Sequence, residues 1–267
     1  MEATEFDEAI DPRYTARIGK SIVEKLPGGS NETVLELACR TGTLTLEILR
    51  KLGPKGRIIA MDADPEMLDL ARYKSRLETG KRVFFSTLLP VEQWRFEDGV
   101  FDTVIGNLPF DELADPTTVF EAVRRLLVPR GHVLLTRLLR QSFGEILDMF
   151  EEVAHARREE RVFQRITTIR DRYLDEAHFQ ASFEALGFEH IVVETAEYTL
   201  SFSSATDVFL DPLIRAIAFK EWQWIGEASN DPAEFQHQVL HALETYFLGQ
   251  HIAVTLRYGI LSARCPG

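Results

Sequence analysis

The sequence predicts an α/β fold: a doubly wound, mostly parallel seven-stranded sheet carrying helical insertions. Three observations lead there. Short apolar runs alternate with helix-like segments through the first half of the chain, the pattern that builds a parallel sheet with helices on both faces. Asp-Pro dipeptides at 64–65, 115–116, 211–212 and 231–232 are helix openings, because Asp accepts bonds from free amides and Pro suits the first helical position. Acidic residues also stand at the ends of the first two apolar runs, at Glu36 and Asp62.

In order, residues 34–38 read as a strand and 43–52 as a helix closed by Gly53-Pro54. A second strand covers 57–61, and Asp64-Pro65 opens the next helix. Strands three and four fall at 82–86 and 100–106. The helix opened by Asp115-Pro116 sets Val119, Val123 and Leu126 or Leu127 on one face and ends near Pro129. Pro129-Arg130-Gly131 reads as a turn before a fifth strand at 132–136. Residues 143–174 are helical and heavily charged, with acids and arginines spaced for ion pairs between turns. A helix at 177–186 ends at Gly187, a long strand follows at 191–202, and two Asp-Pro helices precede a last strand at 252–263.

The chain has 267 residues, 45% of them hydrophobic and 27% charged, as in an ordinary soluble globular protein. One domain over 1–267 is expected: an N-terminal helical cap (1–33), a ligand-binding core (34–138) and helical insertions (139–175 and 204–248). Cys39 and Cys265 are too few and too far apart for a disulfide framework or a zinc cluster. The acidic N-terminus does not resemble a secretory signal, and no apolar run approaches a membrane span. The expected location is the cytoplasm. A net charge of −12 repels phosphate backbones and argues against nucleic acid as a main partner. The oligomeric state cannot be read from the sequence.

The most informative stretch is VLELACRTGTLTLEIL, from Val34 to Leu49. A strand ends in an acid, passes through a tight loop and enters a helix at Gly42, so that loop amides and the positive helix end can meet a ligand. Close approach of that ligand would explain the glycine. Asp62, twenty residues past Gly42, can accept bonds from both ribose hydroxyls of a nucleoside. The run ELACRTGTLT resembles the E/DxGxGxG loop of the Rossmann-like class I S-adenosylmethionine-dependent methyltransferases. MDADPEML resembles their second motif, and FDTVIGNLPFDELADPTTVFEAVRRLLVPRGHVLLT their fourth strand through fifth strand. The likeness runs from about Tyr14 to Thr136.

The resemblance implies that Glu36 faces the amino-acid end of S-adenosyl-L-methionine, lined by the backbone of Ala38, Cys39, Arg40 and Gly42. Asp62 would hold the ribose, with Ala63 and Met67 beside the adenine and Leu88 and Leu89 at its other edge. Asn107 and Leu108 would lie next to the methyl group, and Tyr14 would contribute to cofactor binding. Ala38 and Arg40 stand where the family usually has glycine, so the Arg40 side chain must point away from the cofactor. STLLP, after the third strand, lacks the acid that family members often use for the adenine amine. A nicotinamide-binding GxGxxG would need glycines where Thr43, Leu44 and Thr45 stand.

The implied reaction is methyl transfer to a small, apolar or aromatic acceptor. The stretch ADPTTVFEAVRRLLVPRG resembles the pattern of quinone-biosynthesis C-methyltransferases. Asn107-Leu108-Pro109-Phe110 resembles instead the NLPY motif of ribosomal RNA adenine dimethyltransferases, in which an aromatic ring stacks on a flipped base. A third alternative is a non-catalytic subunit on the same fold. The acceptor pocket is expected from the N-terminal segment and the helical insertions, which would act as a substrate lid. Tyr14, Phe143, Phe150, Tyr198, Phe202, Phe209, Phe219, Trp222 and Trp224 are candidate rings for it and for contact with the sulfonium charge. His155, His178, His190, Asp111 and Glu112 are candidate bases, none assignable from sequence. His237 and His241 have the spacing of a helical zinc pair, with Glu244 and His251 as further ligands. Gln238, however, cannot replace the metalloprotease Glu, so no metal is expected.

Overall fold

The computed structural model describes residues 2–26, 31–76, 82–108 and 116–267. Seven strands form a mostly parallel sheet in the order β3-β2-β1-β4-β5-β7-β6. They are β1 (Thr33–Leu37), β2 (Arg57–Asp62), β3 (Val83–Thr87), β4 (Phe101–Leu108), β5 (Leu127–Leu138), β6 (Glu189–Phe202) and β7 (Ile252–Arg264). β1 pairs in parallel with both β2 and β4, β2 with β3, and β4 with β5. Strand order therefore reverses between β1 and β4. Connections leaving such a switch point diverge and open a crevice at the carboxyl ends of the strands, where ligands bind in open α/β sheets.

The helices are α1 (Ala3–Glu5), α2 (Thr15–Lys25), α3 (Thr43–Lys51), α4 (Pro65–Ser75), α5 (Pro116–Leu126), α6 (Gly144–Arg157), α7 (Glu160–Arg172), α8 (Glu176–Ala185), α9 (Ala205–Leu210), α10 (Pro212–Ile217), α11 (Phe219–Gly226) and α12 (Pro232–Tyr246). A π-helical turn, Phe6–Ile10, follows α1. Three of the Asp-Pro pairs open helices through side-chain caps. Asp64 accepts from the Glu66 amide at 2.9 Å, Asp211 from those of Leu213 and Ile214 at 3.0 and 3.2 Å, and Asp231 from that of Glu234 at 3.1 Å. Asp115 lies outside the described residues.

The structure departs from the sequence expectation at three places. β5 starts at Leu127, so Pro129-Arg130-Gly131 lies inside a strand. The pairing steps from Phe101↔Leu127 to Thr103↔His132, and Arg130 takes a φ of 63°: the turn chemistry makes a bulge, not a reversal. The charged stretch 143–174 is two helices, broken where Arg158 adopts a φ of 56°. Finally, α9 and α11 add to the two expected Asp-Pro helices. α9 is capped by the Ser204 hydroxyl, which accepts from the Asp207 amide at 3.1 Å, and α11 has no side-chain cap.

The chain divides into two compact units. The first comprises Met1–Arg137, Glu176–Glu194 and Gly259–Gly267. Its core includes Ile22 of α2 and Ile48 of α3, together with Val34, Ile58 and Ile105 of the sheet. The second comprises Leu138–Asp175 and Thr195–Tyr258 and carries six of the helices, α6, α7 and α9–α12. Within it, Arg170 of α7 reaches Asp148 and Glu151 of α6 at 2.6 and 2.8 Å. Among the described residues no helix is long and apolar enough to cross a membrane.

The cap of α12 gives a direct check of the Asp-Pro rule. Asp231→Ala removes the acceptor for the Glu234 amide and is expected to lower stability by about 1 kcal/mol, measured as a fall in the denaturant midpoint.

Candidate functional site

The loop leaving β1 holds its residues by backbone geometry. Ala38, Arg40 and Gly42 adopt φ values of 55°, 52° and 80°. The first two are therefore left-handed without being glycine, which costs on the order of 1–2 kcal/mol each. The same geometry explains why glycine is usual at those positions. The loop amides are anchored: Cys39 donates to the Met61 carbonyl at 2.9 Å, and Arg40 to Oδ2 of Asp62 at 2.8 Å. A Cβ at Gly42 would lie 2.9 Å from the Ala71 Cβ of α4. That contact, together with the positive φ, gives glycine a reason in the fold itself, beside the close ligand approach expected from the sequence.

Asp62 and Glu36 are both buried, each 1% exposed. Asp62 Oδ1 accepts from the Asp64 amide at 2.9 Å and Oδ2 from Arg40. Each oxygen keeps a further acceptor site, which suits two ribose hydroxyls. Glu36 Oε2 accepts from the Thr45 hydroxyl at 2.6 Å, while Oε1 is buried with no hydrogen-bond partner. Burial pushes the Glu36 pKa up to about 8; the Thr45 bond opposes the rise, and the neighbouring Asp62 and Asp11 carboxylates add to it. A ligand ammonium is the chemistry that such an oxygen lacks. Burial, with Glu36 and Asp62 nearby, also holds the Cys39 thiol well above its usual range, so it is a poor nucleophile.

The N-terminal segment packs onto this loop. Asp7 Oδ1 accepts from Lys74 Nζ and from the Thr41 hydroxyl, both at 2.6 Å, and Lys74 also donates to Thr43 at 2.7 Å. The Arg40 guanidinium stands over the Phe6 ring at 5.6 Å, so its side chain is directed at the N-terminal segment. Tyr14 is fully buried. Asn107, at the end of β4, donates to the Thr15 carbonyl at 2.9 Å and accepts from the Thr136 hydroxyl at 2.6 Å. Both ends of its amide are thus engaged within the fold.

Of the other expected residues, Met67 and Leu108 are buried. Leu88 is half-buried and donates its amide to the Asp62 carbonyl at 2.8 Å. Ala63 is exposed. Leu89 is 43% exposed, and its carbonyl accepts from the Trp94 indole at 2.8 Å. Pro109, Phe110, Asp111 and Glu112 lie outside the described residues. Sequence reasoning missed Asp7, Thr45 and Lys74, because their partners are brought close only by folding. His155 packs edge-on against Phe163. His237 and His241 are exposed on α12, and Glu244 accepts from the Ala205 amide at 2.6 Å. Among the described residues no group of three or more His, Cys, Asp or Glu could hold a metal ion.

Glu36 gives a pH prediction. Its folded pKa, raised to about 8 from 4.5, means that the unfolded chain releases this proton first as pH rises. Its contribution to stability is therefore full below about pH 4.5 and is lost progressively up to about pH 8. In thermal melts, Glu36→Gln is expected to flatten the decline in melting temperature between pH 5 and pH 8. An unchanged decline contradicts the assignment.

A family model described as a methyltransferase domain matches residues 29–185. A malonyl-[acyl-carrier protein] O-methyltransferase from Paenibacillus is 32% identical over 58% of this chain and 57% of its own length. A demethylmenaquinone methyltransferase from Lactococcus lactis is 32% identical over 38% of this chain and 40% of its own. The chain thus spans roughly half the length of these curated relatives. The crystal structure of a Bacillus protein, YcgJ, superposes with a TM-score of 0.60 at 16% identity, covering 94% of this chain and 99% of that one. With a switch-point crevice, a ribose-compatible carboxylate and this family match, the chain belongs to the class I S-adenosylmethionine-dependent methyltransferase family.

Proposed function

We propose that this protein transfers the methyl group of S-adenosyl-L-methionine to a small-molecule acceptor with an apolar or aromatic body. The observation that carries the proposal is the pair of buried carboxylates at the carboxyl ends of β1 and β2. Asp62 has acceptor sites spare for sugar hydroxyls, and Glu36 has one unpartnered buried oxygen. In this proposal Asp62 clamps the ribose, and the Glu36 carboxylate takes the ammonium of the amino-acid end. The backbone of Ala38, Cys39, Arg40 and Gly42 lines that end. Ala63, Met67, Leu88 and Leu89 flank the adenine. Tyr14, Asn107 and Leu108 border the methyl group.

When bound, the cofactor supplies an electrophilic methyl carbon on positive sulfur, open to in-line displacement. The chain contributes alignment and exclusion of water, and orientation alone lowers such barriers by about 7–11 kcal/mol. A carbon or neutral nitrogen acceptor needs no protein base, and none is assigned. The small-molecule acceptor is supported by the net charge of −12, which opposes approach to nucleic acid. The two relatives are named for different acceptors. The apolar body is supported instead by this chain's own buried Tyr14 and Leu108.

Incubating the purified protein with methyl-labelled cofactor and fractionated cell extract tests the proposal. Label is expected in organic-soluble small metabolites. Label confined to RNA or protein, or to no fraction at all, contradicts it. For the cofactor pocket, Asp62→Ala is expected to weaken S-adenosylhomocysteine binding at least tenfold, about 1.4 kcal/mol or more, by calorimetry. Unchanged affinity would mean the ribose lies elsewhere.

A further inference from the structure

The helical unit contains a cavity of about 120 Å³. Its walls are the rings of Phe150, Phe209, Phe219, Trp222 and Phe235. Four of these form a continuous run: Phe209 lies 5.4 Å from Trp222, Trp222 6.4 Å from Phe150, and Phe150 5.8 Å from Phe235, centre to centre. Protein interiors pack as densely as organic crystals and leave few voids larger than a water. An engineered apolar cavity of roughly 150 Å³ is large enough to take up benzene. The space here is therefore that of one small ring or one trimethylammonium group.

Gly226 also lines the cavity, and nothing in the local structure demands glycine there. Its φ is not positive, and an added Cβ would touch only Phe235 Cδ1, at an ordinary 3.9 Å. At the end of α11, a glycine with no backbone reason to be there sacrifices up to about 1 kcal/mol of helix propensity relative to alanine. What its missing side chain does is keep the cavity unfilled.

The polar lining is formed by Gln223, Glu227 and Gln236, all exposed, at the solvent side of the cavity. Among the described residues, Glu227 is the one charged member of the lining, which includes no Lys or Arg. Aromatic faces attract cations through their quadrupole, most strongly where water is excluded. The Arg215 guanidinium, itself outside the lining, already stands over the Phe219 ring at 6.0 Å. A carboxylate at the rim and π faces below repel an anion and favour a cation with an apolar surface. We propose that this cavity is a binding site for a small organic ammonium ion, its alkylated nitrogen among the rings and its charge balanced by Glu227. The site is independent of the proposed methyl-transfer function.

Tetramethylammonium titrated into the full chain without cofactor tests this, read by calorimetry and by fluorescence of the wall tryptophan. Saturable binding is expected, with neopentyl alcohol, a neutral compound with a similar branched apolar body, at least tenfold weaker. Glu227→Gln should weaken tetramethylammonium binding about two- to fivefold. Gly226→Leu, which fills the cavity, should abolish it while S-adenosylhomocysteine binding persists. If Gly226→Leu fails to fold, the exposed Glu227→Gln variant decides. The proposal is overturned by the absence of saturable binding, by equal affinity for neopentyl alcohol, or by unchanged affinity in Glu227→Gln or in a folded Gly226→Leu.

Discussion

The Asp62 carboxylate ties the first loop of the sheet to the second strand. One oxygen accepts from the Arg40 amide, the other from the Asp64 amide, and the Asp64 side chain in turn caps α4. A single buried acid thus sets the end of β2, the path of the loop after β1 and the start of the next helix. Charge-assisted bonds of this kind are about twice as strong as neutral ones. They are strong enough to hold Ala38 and Arg40 in a backbone region that L-residues avoid. Where glycines would leave the loop to take this shape freely, here the carboxylate imposes it.

The same arrangement crowds acidic side chains together. Glu36, Asp62 and Asp11 are all buried in one unit, and the latter two raise the proton affinity of Glu36. Positive charge enters through the Arg40 guanidinium, which interacts with Asp62, and through the Lys74 ammonium, which pairs with Asp7. The unpartnered Glu36 oxygen is the remaining imbalance. In the proposed function, the cofactor ammonium is the partner of that oxygen.

Much of this could be seen in the chain before folding. Glu36 and Asp62 were marked by their positions after apolar runs, and the Asp-Pro pairs at 64–65, 211–212 and 231–232 open helices through the side-chain caps expected of them. Pro129-Arg130-Gly131 was misjudged because a bulge and a turn use the same residues, and only the neighbouring strand decides between them. The steric limit on Gly42 could not be seen locally, because the residue that sets it, Ala71, is 29 residues away in sequence. The Asp7–Lys74 pair, separated by 67 positions, carries no local signal at all. Gly226 carries no such sequence signal: it stands at the end of α11 without a positive φ, and only folding places it against the cavity.

Diffraction from crystals soaked with S-adenosylhomocysteine tests the central claim most directly. The account predicts both ribose hydroxyls within hydrogen-bonding distance of the Asp62 oxygens, with the amino group against Glu36. A nucleoside bound away from β2, with the Arg40 side chain filling the loop in its place, would contradict it.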